Sequence, residues 1–369
     1  MKSAAALLLP AILSAQIAQF RLRETAGLRR FSYPVRASFA TTHSPDDLRL
    51  LDQDKPVPAQ FTQREAGVVE VDFNASPAPF ETRQYSIEDG AGPPPGEGVS
   101  VVETASTYLV KRGQGLEFEV PKNLLGFLST VRTPRRNYLR AGSPGLRLIY
   151  RDDIGFRAGG IGHWGAPTQA RVTKTGPLAA ALRFESTEGL RGDRSVASAV
   201  EMEFPRSKSW VEVTWTVDDP LGFVKGLEAE LDLELTGPPV LADFGAGSVV
   251  YAALAAGQSA LFTAGPSGWS IGLAGAPYAS GSGRVEGWAH VMDRERATAI
   301  GVDEIGRFDP YSSGAIEITS AGRLAIRREF TRGQRKSLHF WLHFVGMPVQ
   351  VGAATSPQSM MQPPAVEWK

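Results

Sequence analysis

Residues 227–235 alternate without a break, with Leu227, Ala229, Leu231, Leu233 and Leu235 on one side of an extended chain and Glu228, Glu230, Asp232 and Glu234 on the other. Successive side chains of a strand point to opposite faces, so this run buries one complete face only as a strand and offers no stripe at helical spacing. The pattern recurs at Val69, Val71, Phe73; at Leu116, Phe118, Val120; at Val200, Met202, Phe204; and at Val211, Val213, Trp215, Val217. Alternation of this kind belongs to antiparallel sheets with one solvated face, whereas parallel sheets buried on both faces read as unbroken apolar runs. The 39 glycines and 26 prolines supply turns between short strands. The expected class is all-β and antiparallel, without an amphipathic helix past the first residues.

The Pro-Gly cluster of residues 90–99 carries no apolar period and reads as an extended spacer. It separates a small N-terminal β module at 20–89 from a large β module at 100–350, and residues 351–369, rich in Ser, Gln, Met and Pro, are expected to be an irregular tail. Residues 1–18 read as a signal peptide: Lys2 gives the positive start, Ala4 to Leu13 an apolar run, and Ser14, Ala15, Gln16 and Ala18 the small-residue cleavage options. A membrane span needs roughly 20 apolar residues, and Gln16, Gln19 and Arg21 interrupt this run. A secreted or periplasmic bacterial protein without a membrane span is expected.

Charge narrows the partners. Lys plus Arg and Asp plus Glu are both 39, so no global field draws the chain to nucleic acid, and a charged ligand must be recognised locally. The absence of cysteine removes disulfides, thiolate zinc sites and a cysteine nucleophile together. No nucleotide-binding glycine loop, paired-histidine metal motif or nucleophile elbow is present. No cofactor or metal is expected, and a monomer acting on polysaccharide or oligosaccharide is.

The densest polar and aromatic stretch runs from Tyr150 through Arg151, Asp152, Asp153 and Arg157 to His163 and Trp164. Arginine neutralises a uronate carboxylate bidentately, a neutral His or Tyr takes a proton, and Trp presents a flat face to a sugar ring. The competing reading pairs Asp152 and Asp153 with Arg151 and Arg157 across an ordinary loop. Two further strands set tryptophan beside histidine on one face: Glu286, Trp288 and His290, and His339, Trp341 and His343. At roughly 3.4 Å per residue His339 and His343 are about 13–14 Å apart, too far to share a metal. These side chains either line a groove or cover a second layer of a sandwich. Arg132, Arg135, Arg136 and Arg140 form a locally basic segment around Tyr138, suited to acidic polysaccharide or merely solvated. Glu201 and Glu203 share a strand face, but two glycosidase carboxylates flank a scissile bond from separate elements.

The stretch Phe20 to Arg30 with its Glu24-Thr-Ala-Gly27 turn, then Tyr33-Pro34-Val35, then Leu51 to Phe61 with Pro58-Ala59-Gln60, resembles the opening barrel module of the exo-rhamnogalacturonan lyase-like family. The resemblance covers about residues 20–90. Gly287 to Asp293 and the two-faced strands are similar to the β-supersandwich of mutarotase-like folds and several polysaccharide lyases. It implies a secreted antiparallel β-supersandwich with a groove and an acidic polysaccharide substrate. It carries no catalytic set across, because no lysine or histidine is matched by motif. The expected function is β-elimination on a uronate-containing glycan, with His163, Arg157, Tyr311 and His290 as catalytic candidates and Arg151, Trp164, Trp288, Trp341, His339 and Arg135 as substrate contacts. The alternatives are a non-catalytic glycan-binding or cell-surface protein and a glycoside hydrolase.

Overall fold

The computed structural model describes residues 16–94, 96–112, 115–124, 127–151, 156–160, 169–190, 194–303, 305, 311–347 and 356–369, the strand at 156–160 by its backbone alone. His163 and Trp164 lie outside the described residues, as does the side chain of Arg157. The chain forms two compact units, Met1–Pro95 with Pro364–Lys369, and Gly96–Pro363. Described residues are overwhelmingly strand, and every named pairing is antiparallel. No helix among them is long and apolar enough to cross a membrane.

The first unit holds a five-stranded sheet, Ala365–Trp368, Gln16–Arg23, Thr82–Asp89, Leu48–Asp52, Lys55–Val57, and a three-stranded sheet, Tyr33–Ala40, Val68–Ala75, Ala59–Glu65. Its aromatic core sets Phe20 5.3 Å from Tyr85 and 5.8 Å from Phe73. The Glu24-to-Gly27 motif is a structural anchor. Glu24, 1% exposed, accepts from Arg30 at 2.8 Å and from the amides of Ala26 and Leu28. Gly27, at φ 72°, turns where a residue with a Cβ would be strained. The expected irregular tail instead holds a short helix, Pro357–Met361, and the Ala365–Trp368 strand. Backbone pairing with Gln16–Arg23 and the apolar Ala365, Val366 and Trp368 order that strand at the end of a segment otherwise rich in Ser, Gln and Pro.

In the second unit a nine-stranded sheet runs Gln169–Lys174, Ala179–Leu190, Arg194–Pro205, Trp210–Asp218, Arg335–Gly346, Arg296–Val302, Trp288–Met292, Val240–Gly245, Val249–Leu254. An eight-stranded sheet runs Phe156–Gly160, Gly145–Arg151, Val224–Asp232, Arg323–Phe330, Ser312–Thr319, Ser259–Gly265, Gly268–Leu273, Ala276–Gly281. A further five-stranded sheet spans Val99–Glu103 to Arg136–Asn137. Their apolar faces share one core, with Phe244 5.8 Å from Phe262 and Phe118 5.1 Å from Phe204. Ile326 is fully buried there, so Ile326→Val is expected to cost about 1 kcal/mol in denaturant titration. A neutral result would mean that its site collapses around the missing methyl.

The alternation at 227–235 buries Leu227, Ala229, Leu231 and Leu233 as read from sequence. The opposite face departs from expectation, because Glu228 and Glu230 are 2% and 5% exposed. Neighbouring strands supply the cover. Arg147 reaches Glu228 at 3.3 Å and Glu230 at 3.0 Å, Arg323 reaches Glu230 at 2.6 Å, and Arg327 bonds Glu228. Burial without these partners would leave two unpaired carboxylates at a cost of several kcal/mol.

Candidate functional site

Antiparallel register brings several distant residues to one end of the eight-stranded sheet. Tyr150 pairs with both Arg157 and Val224, Gly226 with Glu329, and Ser312 with Phe330. Arg151, whose amide donates to Phe223 at 3.0 Å, therefore lies at the same end as Lys225, Thr331 and Tyr311. The Tyr311 carbonyl is held by the amide and hydroxyl of Thr331, at 2.8 and 3.1 Å.

Two clefts open there. One, of about 400 Å³, is lined by Tyr311, Arg328, Phe330, Arg332, Arg335 and Ser337 with Gly333. The other, of about 280 Å³, shares Arg332 and Gly333 and adds Leu221, Lys225 and Lys336 among its walls. Arg332 lies over the Tyr311 ring, a cation–π contact. Arg328 donates to the Ser337 carbonyl at 3.1 Å and to the Ser312 hydroxyl at 3.3 Å, and lies over Phe330. Lys336 is buried against Asp219 at 2.6 Å, and Asp219 also accepts from the amides of Phe223 and Val224. That knot pins the turn from Pro220 to Lys225 against the hairpin from Thr331 to Lys336. Among the described residues no carboxylate lines either cleft; the nearest, Asp219 and Asp218, meet Lys336 and Arg335 from outside the linings at 2.6 and 3.9 Å, so the clefts present cationic walls.

The histidine and tryptophan candidates lie elsewhere. Cross-strand pairing puts His339, Trp341 and His343 on one face of the nine-stranded sheet with Trp288 and His290, the face turned away from the core. His339 is held between Glu212 at 2.9 Å and Asp303 at 3.4 Å. Burial alone would lower its pKa, but hydrogen bonds to Asp303 and Glu212, with their charges, raise it to about 9. Both ring nitrogens of this imidazolium donate, so neither serves as a base or a metal ligand at neutral pH. Among the described residues no cluster of three His, Asp or Glu side chains is arranged for a metal ion. His343 is lowered to about 3 by burial, then by Lys208, Arg112 and His290. His290 lies 3.1 Å from Asp243.

Trp288 and Trp341 are 4% and 5% exposed, so neither ring presents the open stacking face expected from sequence. Met361 fills the space above Gly301 beside Trp341. Glu286 accepts from Trp288 Nε1 at 2.5 Å and from Gln358 at 2.7 Å, tying the ring to the short helix. Among the described residues, His290, Trp288, His339 and Trp341 do not line the cleft that holds Tyr311, while His163 and the Arg157 side chain lie outside the described residues.

Arg135 is exposed at a hairpin turn, and its basic neighbours are occupied. Arg132 pairs with Glu117 at 2.9 Å and Arg136 donates to the Met347 carbonyl at 3.1 Å. Glu201 pairs with Arg183, and Glu203 with Lys174 at 3.1 Å. Lys225, Arg328, Arg332 and Arg335 escaped the sequence reading. A signal existed in the run of cations Arg327, Arg328, Arg332, Arg335 and Lys336 around a Gly333 turn in an otherwise balanced chain.

No family model matches the sequence, and no curated protein matches it. The fold is shared with an alpha-mannosidase from Enterococcus faecalis V583, at TM-score 0.65 and 10% identity over 95% of this chain and 46% of that one. A glycosyl hydrolase family 38 protein from Enterococcus faecalis aligns at TM-score 0.61 and 12% identity, over 95% and 47%. This chain therefore spans about half the length of those structures. A weaker likeness, TM-score 0.42 at 7% identity, covers 68% of this chain and 99% of galactose 1-epimerase from Lactobacillus acidophilus NCFM. At these identities the likeness is one of fold: an all-β sandwich protein.

Proposed function

We propose that the chain is a secreted or periplasmic carbohydrate-handling protein whose basic clefts receive the carboxylate of a uronate-containing glycan. The observation that carries this reading is the convergence of Arg328, Arg332 and Arg335 on Tyr311 with no carboxylate lining the space among the described residues. Arginine forks match carboxylate oxygens bidentately, and Phe330 adds an apolar surface for a sugar ring. The mannosidase-like fold supports carbohydrate as the ligand class.

For this cleft the reaction we propose is β-elimination, with hydrolysis as the alternative. Neutralising the uronate carboxylate lowers the cost of carbanion character at the adjacent carbon, and the Tyr311 hydroxyl is the proton-transfer group at hand. The exo-rhamnogalacturonan lyase-like resemblance of the first unit belongs to this proposal.

Calorimetry with oligogalacturonate and alginate oligomers tests the binding. Affinity should fall steeply with salt, and Arg332→Gln should weaken it about tenfold. No binding to any uronate oligomer at low salt would overturn the reading. Growth of unsaturated-uronate absorbance, lost in Tyr311→Phe while binding persists, would establish the lyase; binding without product would leave a glycan-binding protein. Amino-terminal sequencing of protein from the periplasm or medium tests export.

A further inference from the structure

We propose a second sugar site, for neutral glycan, where the two large sheets expose their edges. Val249–Leu254 is the last strand of the nine-stranded sheet and Ala276–Gly281 the last of the eight-stranded one. Each carries a tyrosine turned to solvent, Tyr251 at 69% exposure and Tyr278 at 49%. The Tyr278 hydroxyl donates to the Tyr251 carbonyl at 2.9 Å, tying the second tyrosine to the backbone of the first.

Polar groups continue the row. Asp243 is directly opposite Tyr251 in register, and His290 is directly opposite Asp243. The His290 ring meets Asp243 through Nδ1, at 3.3 Å from Oδ2, and its other nitrogen remains for a ligand. Adjacent strands are about 4.8 Å apart, so the row from Tyr251 to His290 spans about 10 Å, enough for two sugar units. Leu241 and Val249, 47% and 42% exposed, extend the apolar surface beside Tyr251.

A pyranose matches this arrangement on both counts. Its C–H face packs on the Tyr251 ring, and its hydroxyls accept from or donate to the His290 imidazole, which Asp243, 8% exposed, holds from beneath. The charge of Asp243 selects against an anionic sugar, in contrast to the cation-lined clefts. The site shares no residue with those clefts and stands independently of the uronate reading.

The test is titration of the full chain with neutral manno-, gluco- and galacto-oligosaccharides, followed by NMR or calorimetry. At least one should bind, with Tyr251→Ala weakening it at least about tenfold and Tyr251→Phe retaining it. Asp243→Asn should also weaken it, while uronate binding is unchanged in Tyr251→Ala. The proposal is overturned if no neutral oligosaccharide binds, or if Tyr251→Ala binds as the parent does. It is equally overturned if light scattering shows self-association that Tyr251→Ala abolishes, since the face would then be an interface between copies. Thermal unfolding of each variant separates lost binding from lost folding.

Discussion

Asp219→Ala is expected to destabilise the second unit by about 3–5 kcal/mol in urea titration. The side chains of Asp219 and Lys336 are 0% and 2% exposed and meet at 2.6 Å, so removing either charge leaves the other buried and uncompensated. Asp219 also satisfies the amides of Phe223 and Val224, which lose their acceptor at the same time. The contrast lies one residue away: Asp218 and Arg335 are 3.9 Å apart at 68% and 75% exposure, and Asp218→Ala should change stability by less than about 1 kcal/mol. Replacing both buried partners, Asp219→Asn with Lys336→Met, should recover part of the loss. A cost for Asp219→Ala similar to that of Asp218→Ala would show that the pair is not holding the turn.

The second large effect is on pH. His339 has its folded pKa raised to about 9 from 6.5, so the stability it adds is complete below about pH 6.5 and is lost as pH rises through 9. His343 works in the opposite sense. Its folded pKa is depressed to about 3, so the unfolded chain binds the extra proton and stability declines as pH falls from 6.5 towards 3. Each limb has a limiting slope of about 1.4 kcal/mol per pH unit, less for His339, whose side chain is 26% exposed. Unfolding free energy from these two groups should therefore peak near pH 6.5. His339→Gln should flatten the alkaline limb alone and His343→Gln the acid limb alone. Unchanged profiles would show that carboxylates, and not these rings, set the pH dependence.

The strands were legible because their signal is local: the two faces of 211–217 and 227–233 are written in consecutive residues. The shared face of His339, Trp341 and His343 was legible for the same reason. Burial on that face was not, because the cover over Trp341 comes from Met361 and that over Glu228 from Arg147 and Arg327. The clefts were hidden by the same non-locality. Lys225, Tyr311, Arg328 and Arg332 become neighbours only through the register of four strands. The polar and aromatic groups from Tyr150 to Trp164 are contiguous in sequence, and His163 and Trp164 lie outside the described residues.

The pairing of Gln16–Arg23 with Ala365–Trp368 has a kinetic consequence. Trp368 packs 4.9 Å from Phe20 and 5.5 Å from Phe39, so aromatic partners of the small unit are synthesised almost a whole chain apart. While the ribosome is still making the large unit, the free edge of Gln16–Arg23 has donors and acceptors with no strand to meet them. Contacts of such high sequence separation form late, after the intervening chain has closed the loop. The Gln16–Arg23 strand thus emerges long before its Ala365–Trp368 partner, and until that partner arrives its open edge is where a nascent copy would first capture another.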